Sequence, residues 1–288
     1  MQKSDDPVWI YEISPKKSLI EFNFKEIWRY RDLLMLFVKR NVVTVYKQTV
    51  LGPLWFLIQP LLTAVVLTFI FNTVAGVDTL GVPNFLFNLA GVSLWNYFRE
   101  CLTTTSSTFV TNQNLFGKVY FPRIIMPLST VISNLLKYGI QLFIFMVFYL
   151  YFIFKGANNY HFQIEFIYFP VLILSMAFIG LGLGMILASL TTKYRDVSFL
   201  ITFAVQLLMY VSAVMYPISF LVKKSPKYAW LVENNPLALI VETFRYMVFG
   251  SGIFTYYNLI GSFLISVVIF LFGVIVFNRT EKTFIDTV

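Results

Sequence analysis

The sequence predicts an all-α, polytopic integral membrane protein with six transmembrane helices, an N-terminal amphipathic interface helix and short re-entrant helices between spans five and six. Three observations carry that expectation. Of 288 residues 58% are hydrophobic and only 12% charged, with a mean hydropathy of +0.74, about half the ~25% charge of an ordinary water-facing domain. Apolar stretches near the ~20 residues needed to cross hydrocarbon recur along the chain. The cations are unevenly spread, nine of the 22 Lys and Arg lying in the first 47 residues, ahead of the first long apolar run.

Residues 1–47 read as a cytoplasmic N-terminal arm and 48–288 as one six-span membrane domain. From Phe24 to Lys47 the chain fits a helix with Ile27, Tyr30, Leu34, Phe37 and Val45 on one side, and Arg29, Asp32, Lys39, Arg40 and Lys47 mostly on another. A basic amphipathic helix too polar to span belongs in the interface plane, against anionic headgroups. A passive anchor for the first span is the simpler account of the same pattern. The arm mixes both charge signs without a short apolar core and cleavage site, so no secretory leader is expected in it.

The first span centres on residues 54–74. The second runs from about 85 to 107 and carries Arg99 and Glu100; the third, about 124–154, contains Lys137. The fourth covers about 166–190, the fifth 197–216 and the sixth about 257–277. With the N-terminus inside, cytoplasmic segments hold 15 cations and outer segments five, which sets both termini in the cytoplasm. Four of those five outer cations, including Arg245, fall between 217 and 256, the weak point of this topology. There Pro217, Pro226 and Pro236 punctuate apolar pieces too short to cross, around 218–222 and 237–249. Such pieces are tolerated only under protein or beside a watery cavity, and suggest a gate or plug at the outer mouth.

Several side chains inside the spans are candidates for chemistry. Span two carries Arg99, Glu100 and six hydroxyl residues from Thr103 to Thr108, which lipid would not tolerate all round. They form either a hydrated pathway or a structural ion pair reaching Lys137. On span five Phe199, Phe203, Gln206 and Tyr210 share a helical face, as do Phe145, Tyr149 and Phe152 on span three. Flat aromatic faces with an amide can carry sugar rings, and they equally suit lipid contact or core packing. Gly180, Gly184 and Ala188 on span four are spaced for a close helix seam. His161 is the sole histidine and builds no metal site.

The basic balance of +8 would suit nucleic acid in a soluble protein, but its placement fits a membrane surface, and no nucleic-acid partner is expected. No G-x-x-x-x-G-K-[ST] cradle occurs, since Gly117-Lys118 is followed by Val119, so the chain carries no P-loop. Nor does a G-x-S-x-G or H-E-x-x-H motif appear. A membrane enzyme is thereby disfavoured. A secondary transporter or channel would need a coupling-ion site or inverted repeat, and neither is visible.

The order of parts, with Tyr46-Lys47-Gln48-Thr49-Val50-Leu51-Gly52-Pro53-Leu54-Trp55, Gln59-Pro60 and Asn234-Asn235-Pro236-Leu237, resembles the permease subunit of bacterial ABC exporters of polysaccharides such as O-antigen, capsule and teichoic acid. That resemblance implies a homodimer of six-span subunits moving a lipid-linked glycan across the inner membrane. Two copies of a separate cytoplasmic ATPase would drive it and would hold ATP and Mg, with no cofactor in this chain. It implies that Leu51 and Gly52, with Lys39, Arg40 and Lys47 nearby, receive the pyrophosphate end. It further implies a gate or coupling helix over 114–123, outer gate helices over 217–249, and ATPase contacts at Lys118, Arg123, Lys193 and Arg195. An extension over about 1–21 is longer than the resemblance implies.

Overall fold

The computed structural model describes residues 24–47, 52–116, 118–119, 121–156, 160–194 and 196–284. Leu51, Arg195 and the extension before residue 24 lie outside the described residues. Apart from the connecting turns and loops the described residues are helical, without strands. In order they form α1 (Phe24–Arg29), α2 (Arg31–Tyr46), α3 (Trp55–Leu67) continued by a π-helical turn Thr68–Val74, and α4 (Asn84–Ser106). Then come α5 (Thr108–Thr111), α6 (Gln113–Phe116), α7 (Ile125–Phe154), α8 (Phe169–Lys193), α9 (Val197–Val211), α10 (Ile218–Lys224), α11 (Pro226–Glu233), α12 (Pro236–Phe249) and α13 (Tyr256–Phe284).

Four helical segments are long and apolar enough to cross a membrane: Trp55–Val74, Ile125–Phe154, Ile164–Lys193 and Tyr256–Glu281. They coincide with expected spans one, three, four and six. Spans two and five are also helices, α4 and α9, but differ from those four for physical reasons. The 23-residue α4 carries charge and hydroxyls, and it is sheathed by neighbours from Leu86 to Phe98. At 15 residues, α9 is short, and its chain unwinds after Val211.

Between lipid-facing helices there is no hydrophobic driving force, so close backbone approach has to supply the packing. Here α8 supplies it on both sides. Cβ atoms added at Gly180 and Gly184 would lie 2.8 Å from Cys101 Cβ and 2.6 Å from Thr105 Cβ on α4. On the opposite side Gly182 meets Ile269 and Gly273 of α13, where an added Cβ would stand 2.5 Å from the Ile269 carbonyl oxygen. The spacing expected of a packing seam is thus occupied on one face by α4, and the glycine between adds a second seam.

The unwound segment after α9 is held by a buried arginine. Ala213 takes a positive φ of 51°, and the carbonyls of residues 213, 214 and 216 point away from any helix ladder. Arg245 on α12 donates from Nη1 to Ala213 O at 2.7 Å and Tyr216 O at 3.3 Å, and from Nη2 to Val214 O. Its guanidinium lies 3.7 Å from the centre of the Phe87 ring and its Nη1 3.7 Å from Glu242 Oε2. With both side chains almost wholly buried, Arg245 is no outer surface cation, contrary to its sequence-based assignment. Of the cations expected outside, Lys155, Lys223, Lys224 and Lys227 remain, all exposed.

The arm also departs from expectation. It is two helices broken at Tyr30, not one, and its expected apolar side faces protein. Phe37 and Val38 are buried, Phe37 packing with Phe121, Ile125 and Met126 at the start of α7. Trp28, Met35 and Leu36 remain exposed, so the arm carries apolar side chains that the described residues do not cover.

Candidate functional site

The polar side chains of α4 and α7 converge on a cleft. On α7, Thr130, Asn134, Lys137 and Gln141 follow an i, i+4, i+7, i+11 spacing, which lines them along one face. Opposite stand Asn96, Arg99, Glu100, Thr104 and Ser107 of α4 and its C-terminal cap. Two cavities open between these faces. A lower one of about 350 Å³ is walled by Arg40, Asn41 and Thr44 of the arm, by Thr104 to Asn112, and by α7. An upper one of about 280 Å³ is closed by Phe56, Gln59 and Pro60 of α3. Asn134 and Lys137 belong to both.

The hydroxyl run does not stay idle in this wall. Thr103 donates to Arg99 O at 2.8 Å, Thr104 to Glu100 O, and Ser107 to Thr104 O at 3.1 Å. Donating back to their own helix spends the protons; Thr104 Oγ1 in turn accepts from Asn134 Nδ2 at 3.4 Å, and the Thr104 and Ser107 oxygens keep lone pairs for further donors at the lower cavity. Arg99 and Glu100 form a neighbouring pair at 3.5 Å, about a third exposed at 34% and 39%. Lys137 reaches neither of them: its Nζ donates to Asn134 Oδ1 at 3.0 Å and lies 5.4 Å from the Phe56 ring centre. Of the two readings of span two, this arrangement is an open polar cleft and not a sealed ion pair with Lys137.

The expected pyrophosphate cations separate. Lys39, Arg40 and Lys47 are all exposed, but only Arg40 lines the cleft, with its guanidinium 4.8 Å from the Phe37 ring centre and 3.3 Å from Asn41 Oδ1. Gly52 opens the turn into α3 at a positive φ of 49°, a conformation that glycine adopts without steric cost; it lines neither cavity.

The aromatic faces also part ways. Phe199, Phe203, Gln206 and Tyr210 all lie on the exposed side of α9, opposite buried Ile201 and Val205. On α7, Phe145 and Tyr149 are buried instead, at 0% and 2% exposure. Phe145 meets Phe244 and Phe249, and Tyr149 donates to Val248 O at 3.3 Å. Phe152 is half-buried. The span-three face is therefore core packing against α12, not a free surface for sugar rings.

Among the expected ATPase contacts, Lys118 and Lys193 are exposed. Arg123 is not: it is 7% exposed, donates to Glu281 O at 3.0 Å and lies over Phe116. Burial pulls its pKa below the ordinary arginine value, with Glu281 opposing. Arg123 thus ties the segment around α6 to the end of α13, with little of its side chain exposed for a docking partner. His161 is exposed, as expected.

Sequence reasoning gives Asn134 and Gln141 no role, has Gln59 only as part of a motif, and has Lys137 only as an ion-pair partner for span two. The signal was present in the same spacing that was sought among aromatics.

A polar cleft of this kind in a bundle of apolar helices suits a membrane transport protein. The family model for ABC-2 type transporters matches residues 32–249, from α2 to the end of α12, and the chain belongs to that family: it is a multi-pass transport subunit. Among curated relatives it is similar to the O-antigen export system permease protein RfbA of Klebsiella pneumoniae, 24% identical over 256 residues covering 88% of this chain and 94% of the relative. The protein of the same name from Myxococcus xanthus is 26% identical over 221 residues, 77% of this chain and 82% of the relative.

Proposed function

We propose that this chain is the membrane half of an exporter that moves a lipid-linked polysaccharide out of the cytoplasm, driven by a separate ATPase. The observation that carries the reading is the polar cleft climbing between the arm, α3, α4 and α7. It offers cations for a phosphate-bearing head and hydroxyl oxygens that accept from sugar hydroxyls. The names of the relatives support the same substrate class. In this reading α4 and α9 complete six spans: α4 is tolerated because neighbours sheath it from Leu86 to Phe98 and its charged and hydroxyl side opens into the cleft, and α9 is extended by the segment that Arg245 holds. An even count puts both basic ends in the cytoplasm, and the burial of Arg245 lowers the outer charge that opposed this orientation. The exposed apolar faces of α3 and α9, with Phe199, Phe203, Gln206 and Tyr210, are where a second copy would complete the channel. Lys118 and Lys193 are left to meet two ATPase copies, which bring ATP and Mg. Helices α10 to α12 form the outer gate.

Deleting the gene should strip the glycan from the cell surface and strand it, lipid-linked, on the cytoplasmic leaflet; normal surface glycan would remove the reading. Within the site, Arg40→Gln should reduce export at least tenfold at unchanged protein level and ATPase assembly, while Lys39→Gln, outside the cleft, changes export less than twofold. Equal effects of the two would mean that the arm's cations serve only as an anchor. For the topology, Lys193→Cys should resist an impermeant thiol reagent in intact cells and Lys224→Cys should react. The reverse labelling pattern would invert the orientation.

A further inference from the structure

Lys137 stands near the middle of α7, a 30-residue apolar helix, and no carboxylate among the described residues lies within ion-pair distance of it. An ionisable group at such a depth normally pairs with an opposite charge or faces a watery cavity. Glu100, the acid in the upper cavity wall, is already 3.5 Å from Arg99, and no acid lines the lower cavity. One of the three ammonium protons is taken by Asn134 Oδ1, which fixes the group at the junction of the two cavities. The others are available to a ligand. Arg40 lines the lower cavity and Arg99 the upper one, so with Lys137 at their shared wall three cations mark the two adjoining cavities of the cleft. Along α7 this cleft rises roughly 16 Å between Thr130 and Gln141 at ~1.5 Å per residue.

We propose that Lys137 is an intramembrane oxyanion site, the middle station at which a phosphate-type head passes from Arg40 at the rim to Arg99 deeper in the membrane. The proposal rests on the exporter reading for its direction, but not for its chemistry. A phosphate oxygen neutralises a cation that the fold leaves without a counter-charge, and charge-assisted bonds of this sort are the strong ones. The acceptor oxygens of Thr104 and Ser107 then face whatever hydroxyls follow the phosphate.

The test is equilibrium binding of labelled farnesyl diphosphate to the full chain in phosphatidylcholine nanodiscs. Lys137→Gln should weaken binding at least tenfold, Lys137→Arg should return it to within threefold of wild type, and Lys155→Gln, at the far end of α7, should change nothing. Asn134→Asp sets a carboxylate against the ammonium and should weaken binding as much as Lys137→Gln, which keeps the test intact if that variant fails to fold. Added phosphatidylglycerol separates two sources of the same chemistry. Displacement of the probe at equal amounts assigns the site to bulk lipid headgroups, and resistance assigns it to isoprenoid-borne diphosphate. Wild-type affinity in folded Lys137→Gln or Asn134→Asp would overturn the site. Gene deletion tests the exporter reading separately: surface glycan that persists would remove that reading and leave a Lys137-dependent binding result standing.

Discussion

Arg245→Met is expected to be the most damaging single substitution in the chain, costing about 3–5 kcal/mol, as when one partner of a buried ion pair is removed. Two losses combine. Glu242 is left buried beside an apolar side chain, and the carbonyls of Ala213, Val214 and Tyr216 lose their donors in a place where water does not replace them. Native proteins are stable by only about 5–15 kcal/mol, so the yield of monodisperse detergent-solubilised protein should collapse. Arg245→Lys should rescue little, because an ammonium lacks the planar fork that serves several acceptors at once. Glu242→Gln should be milder, since the three carbonyls keep their arginine. Thermal unfolding of the purified variants decides the matter, and a midpoint for Arg245→Met within a degree or two of wild type would show that the clasp is not what holds the segment after α9.

Gly182→Ala is the second. An added methyl there meets backbone, 2.5 Å from Ile269 O and 2.7 Å from its carbonyl carbon, and backbone cannot rotate aside. Helices α8 and α13 must separate along their crossing, which should cost about 3 kcal/mol, the upper end for overpacking a tight core. The control is Gly139→Ala on α7, where a Cβ would meet nothing within 4 Å. That change should be neutral or stabilise by up to about 1 kcal/mol through helix propensity. Equal unfolding temperatures for the two variants would contradict the seam.

How far the sequence could be read depended on the kind of signal. Long uniform apolar runs gave α3, α7, α8 and α13 directly, because nothing but a membrane or a deep core needs them. The four-residue spacing of Gly180 and Gly184 gave the contact with α4, but Gly182 was not separable as a second seam without knowing which helix lay behind. Counting charges treats every cation as solvent-facing, so Arg245 was placed on the outer surface. Burial by residues distant in sequence is invisible to such a count. Aromatic periodicity failed at Phe145 and Tyr149 for a related reason: a channel wall and a core seam have the same spacing, and only the position of α12 distinguishes them. The break at Tyr30 had no proline or glycine to announce it. Lys137 recurs with Thr130, Asn134 and Gln141 at helical intervals, so the periodicity argument applied to the aromatics would have gathered them had it been applied to polar residues.

The two-faced arm has a mechanical consequence. Phe37 and Val38 bind α2 to the base of α7, while Trp28, Met35 and Leu36 remain exposed, and Arg40 sits one turn along on the cleft rim. The position of α2 on the base of α7 and the placing of Arg40 at the lower cavity are therefore one and the same variable. Any pull on the exposed apolar side of the arm thus reaches the cleft rim through a single helix of 16 residues.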